Sequence, residues 1–396
     1  MLPSNWQKVR LGDIAEIIGG GTPSTQITSF WNGSINWFTP TEIGITKYVY
    51  KSQRTITPLG LKKSSTKLLP IGTILLTSRA SIGDCAILKV VATTNQGFQS
   101  LIPLEKINNE FLYYLMLTLK NKLLKLASGS TFLEVSPNKI KNLLIPLPPL
   151  NEQIAIANIL SGLDRYLYAL DALILKKEGV KKALSFELLS QRKRLKGFNQ
   201  NWQKVRLGDV AEIKRGASPR PIENPKWFCT NSNVGWVRIS DISKNSRFLY
   251  KTAQKLSKKG IEKSRLVKQN SLIMSMCATI GKPIITKIDT CIHDGFVVFE
   301  NPKIDLNYLY YFLCYIEKEW LESGQQGSQV NLNVDLIKNK EVFCPKDLNE
   351  QIAIANILSA LDHEIISLKN KKRQFDNIKK ALNHDLMSAK IRVLKK

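Results

Sequence analysis

Residues 151–164, "NEQIAIANILSGLD", return as residues 349–362, "NEQIAIANILSALD", with one change in fourteen positions. The two copies start 198 residues apart in a chain of 396 residues. A second repeat, "NWQKVRLGD", begins at residue 5 and again at residue 201, with all nine positions identical. Repeats at both ends of each half indicate that one structural unit is encoded twice, each time as a globular segment followed by a helix.

Apolar residues in and beyond the longer repeat recur in steps of four and three. This spacing predicts a long helix with a and d positions on one face, which is typical of a coiled coil. Prolines at 146, 148, 149 and 345 precede the two helices and suit a chain break before helix entry. Each helix is expected to run for about 40 residues, or about 60 Å. The predicted seam residues are Ile156, Leu160, Leu163, Leu167, Leu170, Ile354, Leu358, Leu361, Ile365 and Leu368.

Two arrangements would cover this apolar face. Each helix could pack on its own globular unit, or the two helices could pack on each other, and the near-identical seams favour the second arrangement. An antiparallel pair is the simpler path, because a parallel pair would require residues 190–200 to double back along the rod. The predicted fold class is α+β: two mixed α/β domains separated by two long helices that form an antiparallel coiled coil, with an internal pseudo-twofold repeat. The expected boundaries are 1–150 and 197–348 for the domains, and 151–196 and 349–396 for the helices.

The globular segments contain both strand and helix patterns. "IGTILLTS" (71–78) and "CAILKVVATT" (85–94) are rich in β-branched residues and predict strands. Residues 108–127 and 304–323 carry an apolar face at helical spacing and predict one helix in each half.

The charge of the chain favours a polyanionic partner. Its 58 Lys and Arg residues exceed 32 Asp and Glu residues, which gives a net charge of +26, and the excess is spread along the whole length. Nucleic acid is the commonest polyanion, with a solvated basic surface or an anionic-membrane binder as the alternatives. No apolar run reaches the roughly 18–20 residues of a membrane span, and the start lacks a secretion signal. A cytoplasmic protein that does not enter a membrane is therefore expected.

No catalytic or metal site is predicted. The six cysteines include no CxxC pair and are expected to be free, buried thiols, and the three histidines show no metal-ligand spacing. "GGGTPS" (19–24) lacks the spacing of a phosphate-binding P-loop and predicts a turn. "NPKWF" (224–228) matches only part of the Asn-Pro-Pro-aromatic loop of amino-methyltransferases.

Side chains suited to contacting DNA lie near the predicted turns of both globular segments. Arg and Lys can fork onto guanine edges, and Ser and Thr can bond to several bases, although any one such residue is more often a solvated surface group. The segments between the repeated motifs differ, as "TQITSFWNGSIN" (25–36) differs from "PRPIENPKWFCTNSNVG" (219–235). A shared scaffold with divergent loops is typical of two domains that recognise different sequences. The candidates are Thr39, Thr41, Lys51, Arg54, Lys62, Lys63, Ser78, Arg79, Arg215, Arg220, Arg238, Ser240, Lys244, Lys258 and Lys259.

The motifs together resemble the specificity subunit of type I restriction–modification systems. The motifs that carry the resemblance are the duplicated "VRLGD" opening, "SRASIG" (78–83), "NQGF" (95–98), "GST" (129–131) and "PLPPLNEQIAIANILSGLD" (146–164). The resemblance extends over essentially the whole chain. The second half departs from it at "FCPKDLNEQ" (343–351) and at "HDGF" (293–296).

The resemblance implies a division of labour. Each globular unit would be a target recognition domain that binds one half of a split double-stranded DNA site. The helices would set the distance between the halves and dock the modification (methyltransferase) subunits, two per chain. Those subunits would carry S-adenosylmethionine, and a separate restriction and translocase subunit would cut DNA, so this chain would bind no cofactor and catalyse no reaction. A self-contained methyltransferase or nuclease, and a coiled-coil scaffold or RNA-binding adaptor, are the alternative classes.

Overall fold

The computed structural model describes residues 3–129, 133–245, 247–323 and 332–393. The chain forms two compact units. Unit 1 consists of two segments, Met1–Ala172 and Asn370–Lys396, whereas unit 2 is the continuous segment Leu173–Lys369. Parts of the "GST" motif, Ser130 and Thr131, and of its second copy, Gly327 and Ser328, lie outside the described residues.

Unit 1 is built mainly from short strands, followed by the first of the two long helices. Its strands are β1 (Gln7–Arg10), β2 (Ala15–Gly19), β3 (Trp31–Phe38), β4 (Tyr48–Val49), β5 (Arg54–Ile56), β6 (Ile74–Leu76), β7 (Cys85–Leu88), β8 (Ala92–Thr94), β9 (Gln99–Pro103) and β10 (Leu144–Leu147). Its helices are α1 (Pro58–Lys62), α2 (Asn109–Leu126), α3 (Pro137–Lys141) and the first part of α4 (Leu150–Leu189).

A five-stranded sheet forms the centre of unit 1, in the order β2-β9-β6-β7-β4. A three-stranded sheet, β5-β3-β8, and the pair β1-β10 complete the unit. Ile74 and Leu76 pack with Phe111 of α2, while Leu75, which lies between them, packs with Phe38 in a second cluster. Alternate residues of β6 therefore fill two cores, and the sheet is covered on both faces.

Unit 2 repeats this order of elements. Its strands are β11 (Gln203–Arg206), β12 (Glu212–Arg215), β13 (Gly235–Val237), β14 (Phe248–Leu249), β15 (Gln254–Lys255), β16 (Arg265–Val267), β17 (Leu272–Ser275), β18 (Pro283–Thr286), β19 (Thr290–Ile292), β20 (Phe296–Glu300) and β21 (Glu341–Cys344). Its helices are α5 (Leu207–Val210), α6 (Ile239–Ser243), α7 (Lys258–Glu262), α8 (Leu306–Tyr315), α9 (Glu317–Ser323), α10 (Val334–Asn339) and the first part of α11 (Leu348–Met387).

The sheets of unit 2 match those of unit 1, except that the smaller sheet has one more strand, β16. A five-stranded sheet has the order β12-β20-β17-β18-β14, a four-stranded sheet has the order β15-β13-β19-β16, and β11 pairs with β21. In both units the edge strand of the five-stranded sheet pairs in parallel with its neighbour, as β4 does with β7 and β14 with β18. The internal repeat predicted from the sequence is confirmed at the level of topology.

Two predicted elements are divided in the structure. The run 85–94 forms two strands, because β7 pairs with β6 and β4 in the central sheet whereas β8 pairs with β3 in the smaller sheet. The chain crosses between the sheets at residues 89–91. The helix predicted over 304–323 is likewise interrupted, since α8 is capped at Ile316 before α9 begins. The prediction of a single helix over 108–127 is confirmed by α2.

The repeated opening forms the first strand of each unit. β1 pairs antiparallel with β10, with Val9 opposite Ile145, and β11 pairs with β21, with Val205 opposite Val342. The different sequences "LIPL" (144–147) and "EVFC" (341–344) therefore occupy the same place, because both put a buried β-branched residue opposite the valine of the repeat.

The tryptophan of this opening is tied to the long helix of its unit. In unit 1, Trp6 Nε1 donates to Glu152 Oε2 at 3.1 Å, and Arg392 Nε donates to Glu152 Oε1 at 2.9 Å. The side chain of Glu152 is 2% exposed, so a buried carboxylate joins the opening strand, the start of α4 and the segment after α11.

Unit 2 contains the same arrangement. Trp202 Nε1 donates to Glu350 Oε1 at 3.1 Å, and Arg194 Nη2 donates to Glu350 Oε2 at 2.9 Å. The "NEQ" of each repeat is therefore the point at which the helix is fastened to its globular unit, which explains why the two repeats occur together.

The two long helices are each 40 residues long, as predicted. In unit 1, Asp164 pairs with Lys379 and Asp171 pairs with Lys372. The residue numbers therefore rise along one helix while they fall along the other, which means that the helices run antiparallel. The antiparallel pairing predicted from the path of the chain between the helices is confirmed in unit 1.

Unit 2 shows the same direction of pairing. Lys181 Nζ lies 2.5 Å from Asp362 Oδ1, and Lys177 Nζ lies 2.8 Å from Glu364 Oε1. Glu178 pairs with Lys369 at 2.7 Å. Charged pairs thus flank the apolar seam along both parts of the coiled coil.

The seam residues divide between two environments. Ile156 and Leu160 belong to the core of unit 1, and Ile354 and Leu358 belong to the core of unit 2. Farther along, Leu167, Leu170 and Ile365 are buried, while Leu163, Leu361 and Leu368 are half-buried. Both predicted arrangements therefore occur: the first turns pack on the globular unit, and the later turns lie beside the opposite helix.

Candidate nucleic-acid interface

Most of the predicted DNA-contacting side chains of unit 1 lie at its surface. Thr41 is exposed between β3 and β4. Lys51, Arg54, Lys62 and Lys63 are exposed on or beside β4, β5 and α1. These short elements follow one another between residues 40 and 63, so the candidates come from one continuous stretch of chain.

Two candidates of unit 1 are engaged within the fold. Ser78 is 1% exposed and its hydroxyl donates to the carbonyl of Gly97 at 3.2 Å, so its prediction as a DNA-contacting residue is corrected: the hydroxyl stabilises an interior turn. Thr39 is half-buried, and its hydroxyl donates to Glu42 Oε2 at 2.8 Å as part of a capping box. Both residues serve the framework of the unit.

Arg79 and Arg54 have distinct surroundings. Arg79 Nη2 lies 2.8 Å from Glu134 Oε2, and its side chain is 42% exposed. The guanidinium of Arg54 lies 3.7 Å from the ring centroid of Trp31 and 5.4 Å from that of Trp37. Stacking on an aromatic face orients a guanidinium while leaving its N–H edge available for a ligand. Arg54 is therefore the best-positioned base-contacting candidate in unit 1.

Two of the candidates of unit 2 contact Asp294. Arg220 Nη2 donates to Asp294 Oδ2 at 3.0 Å, and Arg215 Nε donates to its carbonyl oxygen at 2.8 Å. Arg238 Nη1 donates to Gln254 Oε1 at 3.0 Å. The sequence predicted all three arginines, and the structure places each beside a fixed polar partner.

Arg220 and Arg238 line an open cavity of about 580 Å³. The indole nitrogen of Trp236 is buried and has no hydrogen-bond partner among the described residues, whereas Trp37 in the matching place of unit 1 donates to the carbonyl of Gly21 at 2.9 Å. The cavity thus combines cationic, acidic, aromatic and amide groups, and Arg and Gln are side chains that can form bidentate bonds with base edges. The lining residues are Ser218, Arg220, Ile222, Glu223, Pro225, Phe228, Trp236, Arg238, Gln254, His293 and Asp294.

The pKa values of two titratable groups in this cavity are shifted from their usual values. Burial lowers the pKa of His293 below its usual 6.5, and Asp294 opposes this effect. The hydroxyl of Ser218, which donates to Asp294 Oδ1 at 2.6 Å, holds the pKa of Asp294 below its usual 3.8. The cavity therefore has a neutral imidazole beside a stable carboxylate at neutral pH.

The departure "HDGF" for "NQGF" has a structural explanation. The backbone N–H of Gly295 donates to His293 Nδ1 at 2.9 Å, and the backbone N–H of Gly97 donates to Asn95 Oδ1 at the same distance. The next residues also match, since Asp294 accepts from a hydroxyl of the loop after β12 as Gln96 does from Thr22 after β2. Different side chains thus keep the same turn.

This turn also accounts for the glycine-rich opening. A Cβ on Gly20 would lie 1.8 Å from the carbonyl oxygen of Asn95, and a Cβ on Gly216 would lie 2.1 Å from that of His293. A side chain cannot fit at either position. The turn predicted for "GGGTPS" is thus a close approach of two backbone segments in each unit.

The remaining lysine candidates show that the two units carry different charges on equivalent helices. Thr57 and Ser257 cap the equivalent helices α1 and α7 through the amides of Gly60 and Gly260. Both units have an exposed lysine directly after this helix, Lys63 and Lys263. They differ in their other lysines, since unit 1 has one in the last turn and unit 2 has two in the first turn. The lysines in question are Lys62 and Lys63 on α1, and Lys258 and Lys259 on α7; Ser240 and Lys244 are exposed on or beside α6.

Sequence reasoning missed a polar network in each unit. In unit 1, Lys47 Nζ donates to Tyr114 Oη at 2.9 Å and to Ser161 Oγ at 2.8 Å, and Tyr114 donates to Asp164, the partner of Lys379. Burial lowers the pKa of Lys47. The "SGLD" of the repeat thus binds the globular unit and the opposite helix together.

Unit 2 builds the same network around an arginine. Arg247 Nη1 donates to Tyr311 Oη at 3.0 Å and to Ser359 Oγ at 2.6 Å. Tyr311 in turn donates to Asp362 Oδ2 at 2.7 Å, and Asp362 pairs with Lys181. Alignment of "KYVYKS" (47–52) with "RFLYKT" (247–252) would have revealed the cation that both networks share.

Metal-binding clusters and membrane-spanning helices are absent from the residues that the structure describes. Within the described ranges, no group of three or more His, Cys, Asp or Glu side chains is arranged to hold a metal ion. The helices in the described part of the chain include none that is long and apolar enough to cross a membrane. The cysteines at 85, 229, 277, 291, 314 and 344 are all free thiols; Cys229 is exposed and Cys277 and Cys314 are half-buried.

The sequence matches a known family in both halves. Residues 3–177 and 199–375 match the type I restriction modification DNA specificity domain. The type I restriction enzyme MjaIX specificity subunit from Methanocaldococcus jannaschii is 29% identical over 418 residues, covering 99% of this chain and 95% of that protein. The EcoR124I/EcoR124II specificity subunit from Escherichia coli is 37% identical over 161 residues, covering 39% of this chain and 40% of that protein.

Solved structures show a similar fold. The S subunit of a type I restriction–modification system from M. genitalium has a TM-score of 0.60 at 18% identity, with 98% of each chain covered. The HsdS subunit from Thermoanaerobacter tengcongensis has a TM-score of 0.53 at 19% identity, again with 98% of each chain covered. The predicted fold class is therefore confirmed over nearly the whole chain.

Proposed function

Because this chain belongs to the family of type I restriction–modification specificity subunits and has two specificity domains, we propose that it recognises an asymmetric, bipartite site in double-stranded DNA. Each unit would bind one half of the site, with an unread spacer between the halves. The chain itself would select the sequence, and partner subunits would perform the chemistry.

One observation carries this proposal: the two units share their framework but differ in the groups that a DNA base would meet. Asn95 and His293 make the same backbone bond. Around this common turn, unit 1 presents Arg54 stacked on Trp31, whereas unit 2 presents Arg238 at the edge of a cavity. Different donors on one scaffold would select different bases.

Affinity and specificity would come from separate groups. The positive charge of the chain, +26, would bring salt-dependent attraction to the phosphates. Arg54 in unit 1, and Arg220 and Arg238 in unit 2, would contact base edges, and each bidentate contact would contribute about 1–3 kcal/mol of discrimination.

Partner subunits complete the proposed assembly. Two modification subunits would dock on the helices of one chain and carry S-adenosylmethionine, and restriction and translocase subunits would join them in the cytoplasm. The seam residues are largely covered within each unit, so exposed apolar side chains of α4 are better docking candidates. Tyr168 is 78% exposed and Leu175 is 69% exposed. The variant Tyr168→Ser/Leu175→Ser should lose the modification subunit in gel filtration, whereas Glu187→Gln on the same helix should retain it.

Methylation sequencing of a host that expresses this chain with its modification subunit tests the proposed function. The expected result is one asymmetric motif with a fixed spacer. Exchange of residues 14–145 for those of another specificity subunit should change one half-site and leave the other. A motif in which both halves change would contradict the assignment of one half-site to each unit. Methyl transfer by the purified chain alone would instead indicate a self-contained enzyme.

A further inference from the structure

An exposed tyrosine–lysine pair occupies the same place in both units. Tyr50 and Lys51 follow the edge strand β4, and Tyr250 and Lys251 follow the edge strand β14. Tyr50 is 62% exposed and Tyr250 is 64% exposed, and both lysines are exposed. Neither pair contributes to a hydrophobic core, so packing does not explain why it occurs twice.

The chain beneath each pair is held by matching bonds. Ser52 Oγ donates to the carbonyl of Arg54 at 2.5 Å, and Thr252 Oγ1 donates to that of Gln254 at 2.6 Å. The following amides are held by carboxylates, since Gln53 N donates to Glu42 Oε1 at 2.7 Å and Ala253 N donates to Asp241 Oδ1 at 3.0 Å. Both segments are therefore fixed on their inner side and present the tyrosine and lysine outward.

A second lysine lies close to each pair. Lys89 Nζ lies 4.4 Å from the ring centroid of Tyr48, and Lys287 Nζ lies 4.7 Å from that of Phe248. The amides of these lysines donate to the carbonyls of Val49 (3.0 Å) and Leu249 (2.8 Å), directly before the exposed tyrosines. Each unit thus has two lysines and a tyrosine hydroxyl at one sheet edge.

The two units differ elsewhere but share this surface. We therefore expect its partner to be the same at both half-sites of the DNA. The sugar–phosphate backbone has this property, and lysine and tyrosine are among its usual contacts. The segment runs within four residues into Arg54, a candidate base-contacting residue, in unit 1. In unit 2 it runs into Gln254, which holds the candidate Arg238. Four extended residues span about 13 Å, comparable with the width of about 12 Å of the major groove.

We propose that Tyr50 with Lys51 and Tyr250 with Lys251 form two equivalent phosphate clamps, which fix each unit on the DNA backbone without reading sequence. This inference rests on the proposed DNA-recognition function. It separates the exposed candidates into two classes: the duplicated groups supply affinity and position, and the groups that differ between the units supply specificity.

The test is the salt dependence of DNA binding by the full chain assembled with its modification subunit. Affinities are measured for a duplex that contains the methylated motif and for a scrambled duplex, over a range of salt concentrations. The double variant Lys51→Gln/Lys251→Gln should lower the slope of log K against log salt by about 1.8, since each lost phosphate contact removes about 0.9. At about 0.15 M salt this corresponds to an affinity loss of about 30-fold for both duplexes, with an unchanged methylation motif.

A matched control uses another duplicated pair of exposed lysines, Lys141 on α3 and Lys338 on α10. Lys141→Gln/Lys338→Gln removes the same charge and should leave the slope unchanged. Tyr50→Phe/Tyr250→Phe keeps the rings and should weaken both duplexes by a similar few-fold factor. Circular dichroism and thermal melting establish that each variant is folded.

Three results would overturn the clamps: an unchanged slope in the Lys51/Lys251 variant, an equal loss in the Lys141/Lys338 control, or loss of the modification subunit from the assembly. The last result would assign the surface to a protein contact. Failure of the unmodified assembly to prefer its motif over the scrambled duplex is a different outcome, which would contradict the proposed function itself.

Discussion

Trp6 donates its indole N–H to the buried carboxylate of Glu152 at 3.1 Å, across 146 residues of sequence. Arg392 supplies the counter-charge from the segment after α11. Removal of one partner from a buried ion pair leaves an uncompensated charge and costs about 3–5 kcal/mol. We expect Arg392→Gln to lower the free energy of unfolding of unit 1 by this amount, measured by urea denaturation.

The repeat provides the control for this prediction. Arg194→Gln exposes the same defect at Glu350 and should destabilise unit 2 alone. Glu152→Gln, which removes the charge and not only its partner, should cost less than Arg392→Gln, at about 1.5–3 kcal/mol. Arg165→Gln, at an exposed position of α4, should change stability by less than about 0.5 kcal/mol. An effect of Arg392→Gln no larger than that of Arg165→Gln would contradict the prediction.

His293 should make unit 2 sensitive to acid. Its Nδ1 accepts the amide proton of Gly295 only while it is unprotonated, and burial lowers its pKa below 6.5. As the pH falls below 6.5, the unfolded state takes up a proton that the folded state resists, so the free energy of unfolding decreases. Asp294 and Arg238 are the charged groups that act on the imidazole, in opposite directions.

Asparagine is the matched replacement, because Asn95 makes the same bond in unit 1. His293→Asn should remove part of the loss of stability between about pH 7.5 and about pH 5, and should cost no more than about 1.5 kcal/mol at the higher pH. The reciprocal variant Asn95→His should introduce an acid-sensitive loss into unit 1. Urea midpoints at the two pH values measure both effects, and identical pH profiles for His293→Asn and the unmodified chain would refute the role of the imidazole.

Arg54 and Arg238 should each govern one half of the DNA site. Arg54 is oriented by Trp31, and Arg238 is held by Gln254. Replacement of either arginine by alanine should cost about 1–3 kcal/mol of discrimination at one half-site only. Methylation sequencing should show relaxed bases on one side of the spacer for Arg54→Ala and on the other side for Arg238→Ala. Relaxation on both sides by one variant would be inconsistent with separate recognition.

The length of the coiled coil should set the spacer. Deletion of residues 165–171 together with 372–378 removes one heptad from each helix and preserves the pair Asp164–Lys379, because Asp171 and Lys372 leave together. The loss of about 10 Å corresponds to about three base pairs of spacer. Deletion of 165–171 alone, which breaks the register, is the control and should give no methylation. A methylation motif with the original spacer after the paired deletion would disprove this role of the helices.

The long elements of the fold could be predicted from the sequence, and the short ones only in part. Heptads fix which face of a helix is apolar, so α4 and α11 were accessible from the spacing of Ile156 to Leu368. Their antiparallel direction was accessible from the path of the linker between them. The division of residues 85–94 was not, because the segment "KVV" (89–91) between β7 and β8 contains no Gly or Pro that would signal a break between strands.

The sequence predicted which types of residue form the candidate site, but not which of those residues are buried. Exposed Lys51 and buried Ser78 have equally polar sequence contexts, and only the carbonyl of Gly97 distinguishes them. The sequence also did not reveal that His293 and Asn95 are equivalent. Each places a hydrogen-bond acceptor atom at the same position in the turn, and two unlike side chains can provide that atom. Tyr50 and Tyr250 were missed because the offset between the copies is 200 residues there, not 198.

The division of unit 1 between the two ends of the chain has a consequence during synthesis on the ribosome. Unit 2 occupies one continuous stretch and has all its residues once position 369 has emerged. Unit 1 begins first but finishes last, since Leu386 and Met387 fill its core and Arg392 neutralises Glu152. A nascent chain that stops after unit 2 therefore has an open apolar surface in its oldest part, which quality-control proteases can recognise. The two units share one framework but are thus completed at different times during synthesis, unit 2 before unit 1.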